Sequence, residues 1–144
     1  MAQLARLIDE HRNVKHAVVL KVTKVGRSPE SAVMIDHPIV SREHFEITLG
    51  WWSGYRIRDL GSKFGTFLNG KRLTGKRTIR DGDCIMIACF QTEDMRVMRE
   101  RAQAFGGKPD STIAVVGCGP DSIEDIPEED LIIGAKLVFS IRKL

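Results

Sequence analysis

The chain has 144 residues, 42% of them hydrophobic and 28% charged, with a formal net charge of +3. That length suits one domain around a single core, and the composition excludes a globally disordered chain. No stretch approaches the roughly twenty apolar residues of a membrane helix, and the N-terminus meets charge at Arg6, Asp9 and Glu10 too early for a secretory signal, so an intracellular protein is expected.

In chain order, Val18–Val25 ends in apolar/polar alternation and reads as a strand; Phe45–Leu49 and Tyr55–Asp59 repeat the pattern. Gly and Pro punctuate the first ninety residues so closely that no long helix fits between them. Asn69-Gly70, between Thr66-Phe67-Leu68 and Lys71-Arg72-Leu73, predicts a hairpin, because a type I′ turn needs positive φ at both central positions. Asp81-Gly82-Asp83 leads into the apolar run Cys84–Phe90, a buried strand. Beyond it, Thr92–Phe105 reads as an amphipathic helix with Met95, Met98, Ala102 and Phe105 on one face and Gly106-Gly107 as its stop. Thr112–Val116 reads as a strand, Asp121–Asp130 as a solvated loop with six acids in ten residues, and Ala135–Lys143 as a closing strand. Many short strands with glycine-rich turns give an all-β, two-sheet sandwich with one α-helix in an insertion before the last strand.

Cys84, Cys89 and Cys118 are too few and too irregularly spaced for a disulfide framework or a zinc site. His11, His16, His37 and His44 suggest no metal, and no cofactor is expected. Charge is unevenly spread: residues 1–90 hold 15 Lys and Arg against 9 Asp and Glu, and residues 91–144 hold 7 against 10. A basic first part fits an acidic partner. Two segments imitate nucleotide loops. Gly70–Arg77 has the P-loop spacing but carries Arg77 where Ser or Thr must meet magnesium, and Val115–Ser122 lacks the third glycine of a dinucleotide fingerprint.

Three turn-like segments carry groups suited to an anion: Arg27 after Gly26, Ser41 and Arg42, and Lys63 in the glycine-flanked Gly61–Gly65 turn. No triad-type arrangement accompanies His44. The order and spacing of Gly26-Arg27, Ser41-x-x-His44, Asp59-Leu60-Gly61-Ser62, Gly65–Gly70 and Asp81-Gly82-Asp83 resemble the forkhead-associated (FHA) domain. That family binds phosphothreonine with a sandwich of about eleven strands. The resemblance implies one domain over 1–144, with core motifs at 26–90, an insertion over about 91–134 and a final strand over about 135–143. It implies a non-enzymatic module that recruits a phosphothreonine-containing protein. Arg27, Ser41, Arg42 and Lys63 would contact phosphate or peptide, while Gly26, His44 and Gly65 would support the site. Phe64 departs from the family, which commonly has Asn there to bond the peptide backbone. Losing that bond costs about 1–3 kcal/mol, unless Phe64 offers an apolar contact instead.

The alternative is a phospho-independent scaffold that docks through the sandwich and its insertion. Nucleic-acid binding through Arg56, Arg58, Lys71, Arg72, Lys76, Arg77 and Arg80 is disfavoured by sparse aromatics and the acidic C-terminal part. The insertion is expected to shape partner choice, with the acids of 121–130 flanking the site or competing for its basic residues.

Overall fold

A computed structural model describes residues 3–18, 21–50, 54–90 and 121–143. They form eleven strands: β1 Gln3–Asp9, β2 Val14–Val18, β3 Val22–Gly26, β4 Val33–Met34, β5 Phe45–Gly50, β6 Gly54–Asp59, β7 Phe67–Leu68, β8 Lys71–Arg72, β9 Lys76–Thr78, β10 Cys84–Phe90 and β11 Leu131–Lys143. A short 3-10 turn, Glu128–Asp130, precedes β11. The helix expected over 92–105, the strand expected over 112–116 and Cys118 lie outside the described residues.

The strands make two sheets, ordered β2-β1-β11-β10-β7-β8 and β4-β3-β5-β6-β9. Alternation explains how they face one another. On β6, Tyr55 and Ile57 are buried while Arg56 and Arg58 are exposed, the period-two signature of a half-wet sheet. Leu7, Ile85, Ile87, Leu137 and Phe139 from the first sheet meet Val25, Phe45, Ile47 and Ile57 from the second in one core. Tyr55 and Phe139 pack edge to face across it, ring centroids 5.2 Å apart.

Three local readings are refined. The run expected as a strand over Val18–Val25 is shared between sheets: β2 ends at Val18 and β3 begins at Val22. The apolar residues on either side therefore feed different sheets. The closing strand starts at Leu131 and not at 135, with a register shift that pairs Ile87 with Ala135 and Ala88 with Ile133. Gly134 sits at this bulge because a Cβ there would come within 2.8 Å of Ile39 Cγ1. The β7–β8 hairpin turns through Asn69 (φ 51°) and Gly70 (φ 85°), the positive pair that the sequence predicts.

The stretch expected as a solvated loop, Asp121–Asp130, is anchored. The Arg72 N–H donates to the Asp121 carbonyl at 2.6 Å, and the Ile123 N–H to the Gly70 carbonyl at 2.7 Å. Ile123 and Leu131 join Phe67, Met86 and Ala88 in a second apolar cluster. Asp121, Glu124, Asp125 and Glu129 stay exposed. Charge on one side of the segment conceals an apolar anchor on the other.

Candidate functional site

Three loops meet at one end of the sandwich: 27–32 between β3 and β4, 35–44 between β4 and β5, and 60–66 between β6 and β7. Gly26 makes the first meeting possible. A Cβ on it would lie 2.1 Å from the Arg42 carbonyl oxygen and 2.9 Å from that of Ser41, so no other residue fits without moving the loop. The Arg27 N–H donates to the Ser41 carbonyl at 2.9 Å, and the Ser28 N–H to the Arg42 carbonyl at 3.2 Å. Arg27 and Ser41 are thereby held beside each other by main chain, whatever their side chains do.

Ser41 is fixed from both sides. Its Oγ accepts the Lys63 N–H at 3.1 Å, which ties the third loop to the second. Its own N–H donates to His44 Nδ1 at 3.1 Å. His44 Nε2 lies 2.8 Å from the Gly65 carbonyl. Because Nδ1 accepts, the ring proton sits on Nε2 and donates to Gly65; both nitrogens are consumed by backbone. His44 is fully buried and bridges the second and third loops.

Asp59 organises the 60–66 loop. Its Oδ2 accepts the N–H groups of Gly61 (3.0 Å) and Ser62 (2.9 Å), and its Oδ1 accepts the hydroxyls of Ser62 (2.5 Å) and Thr66 (2.7 Å). Ser62 Oγ in turn accepts the Gly65 N–H at 3.0 Å. Asp59, Ser62 and Thr66 stand in the motif without an assigned role in the sequence reading. The aspartate followed at three residues by a serine is the local Asx-turn signal for it.

These two groups titrate in the same sense. Burial is the main cause that lowers the His44 pKa from 6.5, against smaller opposing effects of the Gly65 carbonyl and Asp59. For Asp59, burial alone would raise the carboxyl, but the hydrogen bonds from Ser62 and Thr66, helped by the charge of His44, hold it below 3.8. In both cases the unfolded chain binds protons more readily, so stability is present at neutral pH and lost as pH falls. His44 accounts for the loss that begins below about pH 6.5, and Asp59 contributes only below about pH 4. The urea midpoint is therefore expected to fall between about pH 7 and pH 5. A midpoint constant across that interval would contradict a neutral, buried His44.

Arg27 is half-buried, Arg42 exposed, and neither forms an ion pair among the described residues. Glu43, which follows Arg42, is engaged by Lys24 at 3.3 Å. Lys63 Nζ lies 5.6 Å from the Phe64 ring centroid, within cation–π range. Phe64 is half-buried and packs against the main core. Gly65, with φ 84°, lies against the Arg72 guanidinium, whose Cζ a Cβ would approach to 3.1 Å. Arg72, on β8 of the hairpin, thus brings a further cation to this loop.

Residues 23–88 match the family model of the FHA domain. No curated protein sequence matches the chain. Among solved structures, Mycobacterium tuberculosis EmbR, in complex with a low-affinity phosphopeptide, is 29% identical with a TM-score of 0.54. That match covers 57% of this chain and only 21% of the EmbR chain. The N-terminal FHA domain of S. cerevisiae Rad53p, in complex with a phosphothreonine peptide, is 19% identical with a TM-score of 0.60, covering 96% of this chain and 94% of that one. M. tuberculosis Rv1747 FHA-1 is 18% identical with a TM-score of 0.58 over 99% and 100% of the two chains. The latter two alignments extend well beyond the matched segment. All three loops of the site fall within the segment that matches the FHA-domain model.

Proposed function

We propose that the chain is a phosphothreonine-dependent interaction module that recruits a phosphorylated partner protein inside the cell and performs no catalysis. The observation that carries this reading is the pairing of Arg27 and Ser41. Main chain holds them together, the Arg27 guanidinium has no counter-ion among the described residues, and the Ser41 Oγ accepts from Lys63 N–H with its own proton left to donate. Phosphothreonine carries about −1.5 to −2 charges near neutral pH and three acceptor oxygens. Arg27 would bind two of these oxygens side by side and Ser41 would donate to one. Arg42 and Lys63 add positive charge at the rim, and Lys63 reaches the phosphate or the flanking peptide.

The same geometry argues against hydrolysis. A serine nucleophile needs a base at its hydroxyl, yet His44 receives the Ser41 backbone N–H and spends its other nitrogen on Gly65. Phe64 offers no amide to the peptide backbone, so binding rests on the phosphate more than on peptide main chain.

Fluorescence anisotropy with a phosphothreonine peptide library, beside matched phosphoserine and unphosphorylated sets, tests the proposal. Phosphothreonine peptides are expected to bind about a hundredfold more tightly than unphosphorylated ones, roughly the 2.8 kcal/mol of two charge-assisted hydrogen bonds. Equal binding of phosphorylated and unphosphorylated forms would point instead to a phospho-independent assembly domain.

A further inference from the structure

The outer face of the five-stranded sheet breaks a rule of cross-strand pairing. The register runs Lys24 on β3, Glu46 on β5, Arg58 on β6 and Lys76 on β9 as directly opposed neighbours. Lys24 and Glu46 alternate in sign. Arg58 and Lys76 do not, and like charges directly opposite destabilise a sheet. Glu46 is 9% exposed and committed to Arg58 at 3.0 Å. Two residues farther along β6, Arg56 stands opposite Thr78 on β9 and Thr48 on β5. Arg56 and Lys76 are both exposed, and neither has a side-chain hydrogen bond or ion pair among the described residues.

This half of the face is therefore a concentration of positive charge that the fold itself neither needs nor neutralises. Such local inconsistency, without a structural gain, is characteristic of a surface kept for binding. It is distinct from the phosphate site: Arg27 and Ser41 sit in loops, while these cations stand on paired strands at the side of the sandwich. β9 is also the last strand of its sheet among the described residues, so its outer backbone groups are open to an extended chain.

We infer that the β6–β9 face is a second docking surface, for an acidic segment of a partner protein, and that it acts without phosphate. A protein segment fits better than nucleic acid. Tyr55, the aromatic on β6, is 7% exposed and faces the core, so no described aromatic on this face offers a base a stacking platform. The threonines at 48 and 78 interrupt the cations, which suits a few spaced carboxylates more than a continuous phosphodiester track.

The test uses an unphosphorylated deca-glutamate peptide at low ionic strength, the wild-type chain, Arg56→Gln/Lys76→Gln and Arg27→Ala. Arg58 is left intact so that Glu46 keeps its partner. The peptide is expected to bind wild type and Arg27→Ala alike, and the double variant about tenfold more weakly, with affinity falling as salt rises. Backbone amide shifts on adding peptide to wild type are expected to cluster on β6 and β9. Equal affinity for wild type and the double variant, or shifts confined to the 27–32, 35–44 and 60–66 loops, would overturn the inference. So would a duplex DNA of equal charge that binds the face more tightly. Because Arg27→Ala removes the proposed phosphate contact and spares this face, loss of either activity alone identifies which reading has failed.

Discussion

Arg27→Ala is expected to weaken phosphothreonine-peptide binding about a hundredfold while leaving the urea midpoint unchanged. The loss follows from removing two parallel charge-assisted bonds of about 1.5 kcal/mol each. The fold should tolerate it because the guanidinium of Arg27 forms no ion pair among the described residues, and its contribution to the loop is made by its N–H to Ser41. Ser41→Ala should cost about tenfold, since it removes both the donor to phosphate and the acceptor for Lys63 N–H. Lys63→Ala should cost least, about threefold, because an exposed, flexible ammonium is screened. Titration calorimetry beside urea unfolding separates these effects. If Arg27→Ala bound as wild type does, the phosphate would have to sit elsewhere.

A second large effect lies far from phosphate in sequence. Asp9 is fully buried, yet it carries a carboxylate. Arg12 satisfies it twice: its N–H donates to Asp9 Oδ1 at 3.0 Å, and its Nη1 to Oδ2 at 3.1 Å. Nη2 then reaches the Gly134 carbonyl at 3.0 Å. One side chain thus neutralises a buried charge and ties the β1–β2 turn to the bulge of β11. Arg12→Ala leaves the carboxylate with one backbone donor and no cation, and removing one partner of a buried pair costs about 3–5 kcal/mol. Since the arginine is itself partly exposed, at 35% of its side chain, the expected loss is nearer 2–3 kcal/mol. Asp9→Asn added to Arg12→Ala should recover part of it by removing the stranded charge. A single variant within 0.5 kcal/mol of wild type would show that water takes over the role of Arg12.

The three loops of the candidate site were legible in the sequence because each rests on short-range chemistry. Gly26 precedes Arg27 where the chain must pass close to another backbone. Asp59 and Ser62 are three residues apart, and Asn69-Gly70 needs no partner to define its turn. The Asp9–Arg12 pair was not legible, since its third contact lies 122 residues away and its burial depends on β11. β1 itself was obscured by Arg6 and Asp9, whose charges interrupt the apolar pattern of Leu4, Leu7 and Ile8. In Asp121–Asp130 the six acids dominated the reading, although Ile123 finds Phe67 and Met86 on the outer side of the six-stranded sheet. The role of Arg72 at Gly65 was equally hidden, because it arises only when the β7–β8 hairpin folds back on the preceding loop.

The pairing of β1 with β11 gives the molecule a polarity. Gln3 lies opposite Lys143, and Asp9 opposite Leu137; Gly134, farther toward the start of β11, touches Ile39 and Val40 of the site-side loop. Gln3 and Lys143 are therefore side by side at the end of the sandwich away from Arg27 and Ser41. Any tether fused before Gln3 or after Lys143 would leave from the rear, with the loops of the candidate site facing outward like a reading head on a leash. Fusion to a surface or reporter there should not obstruct them.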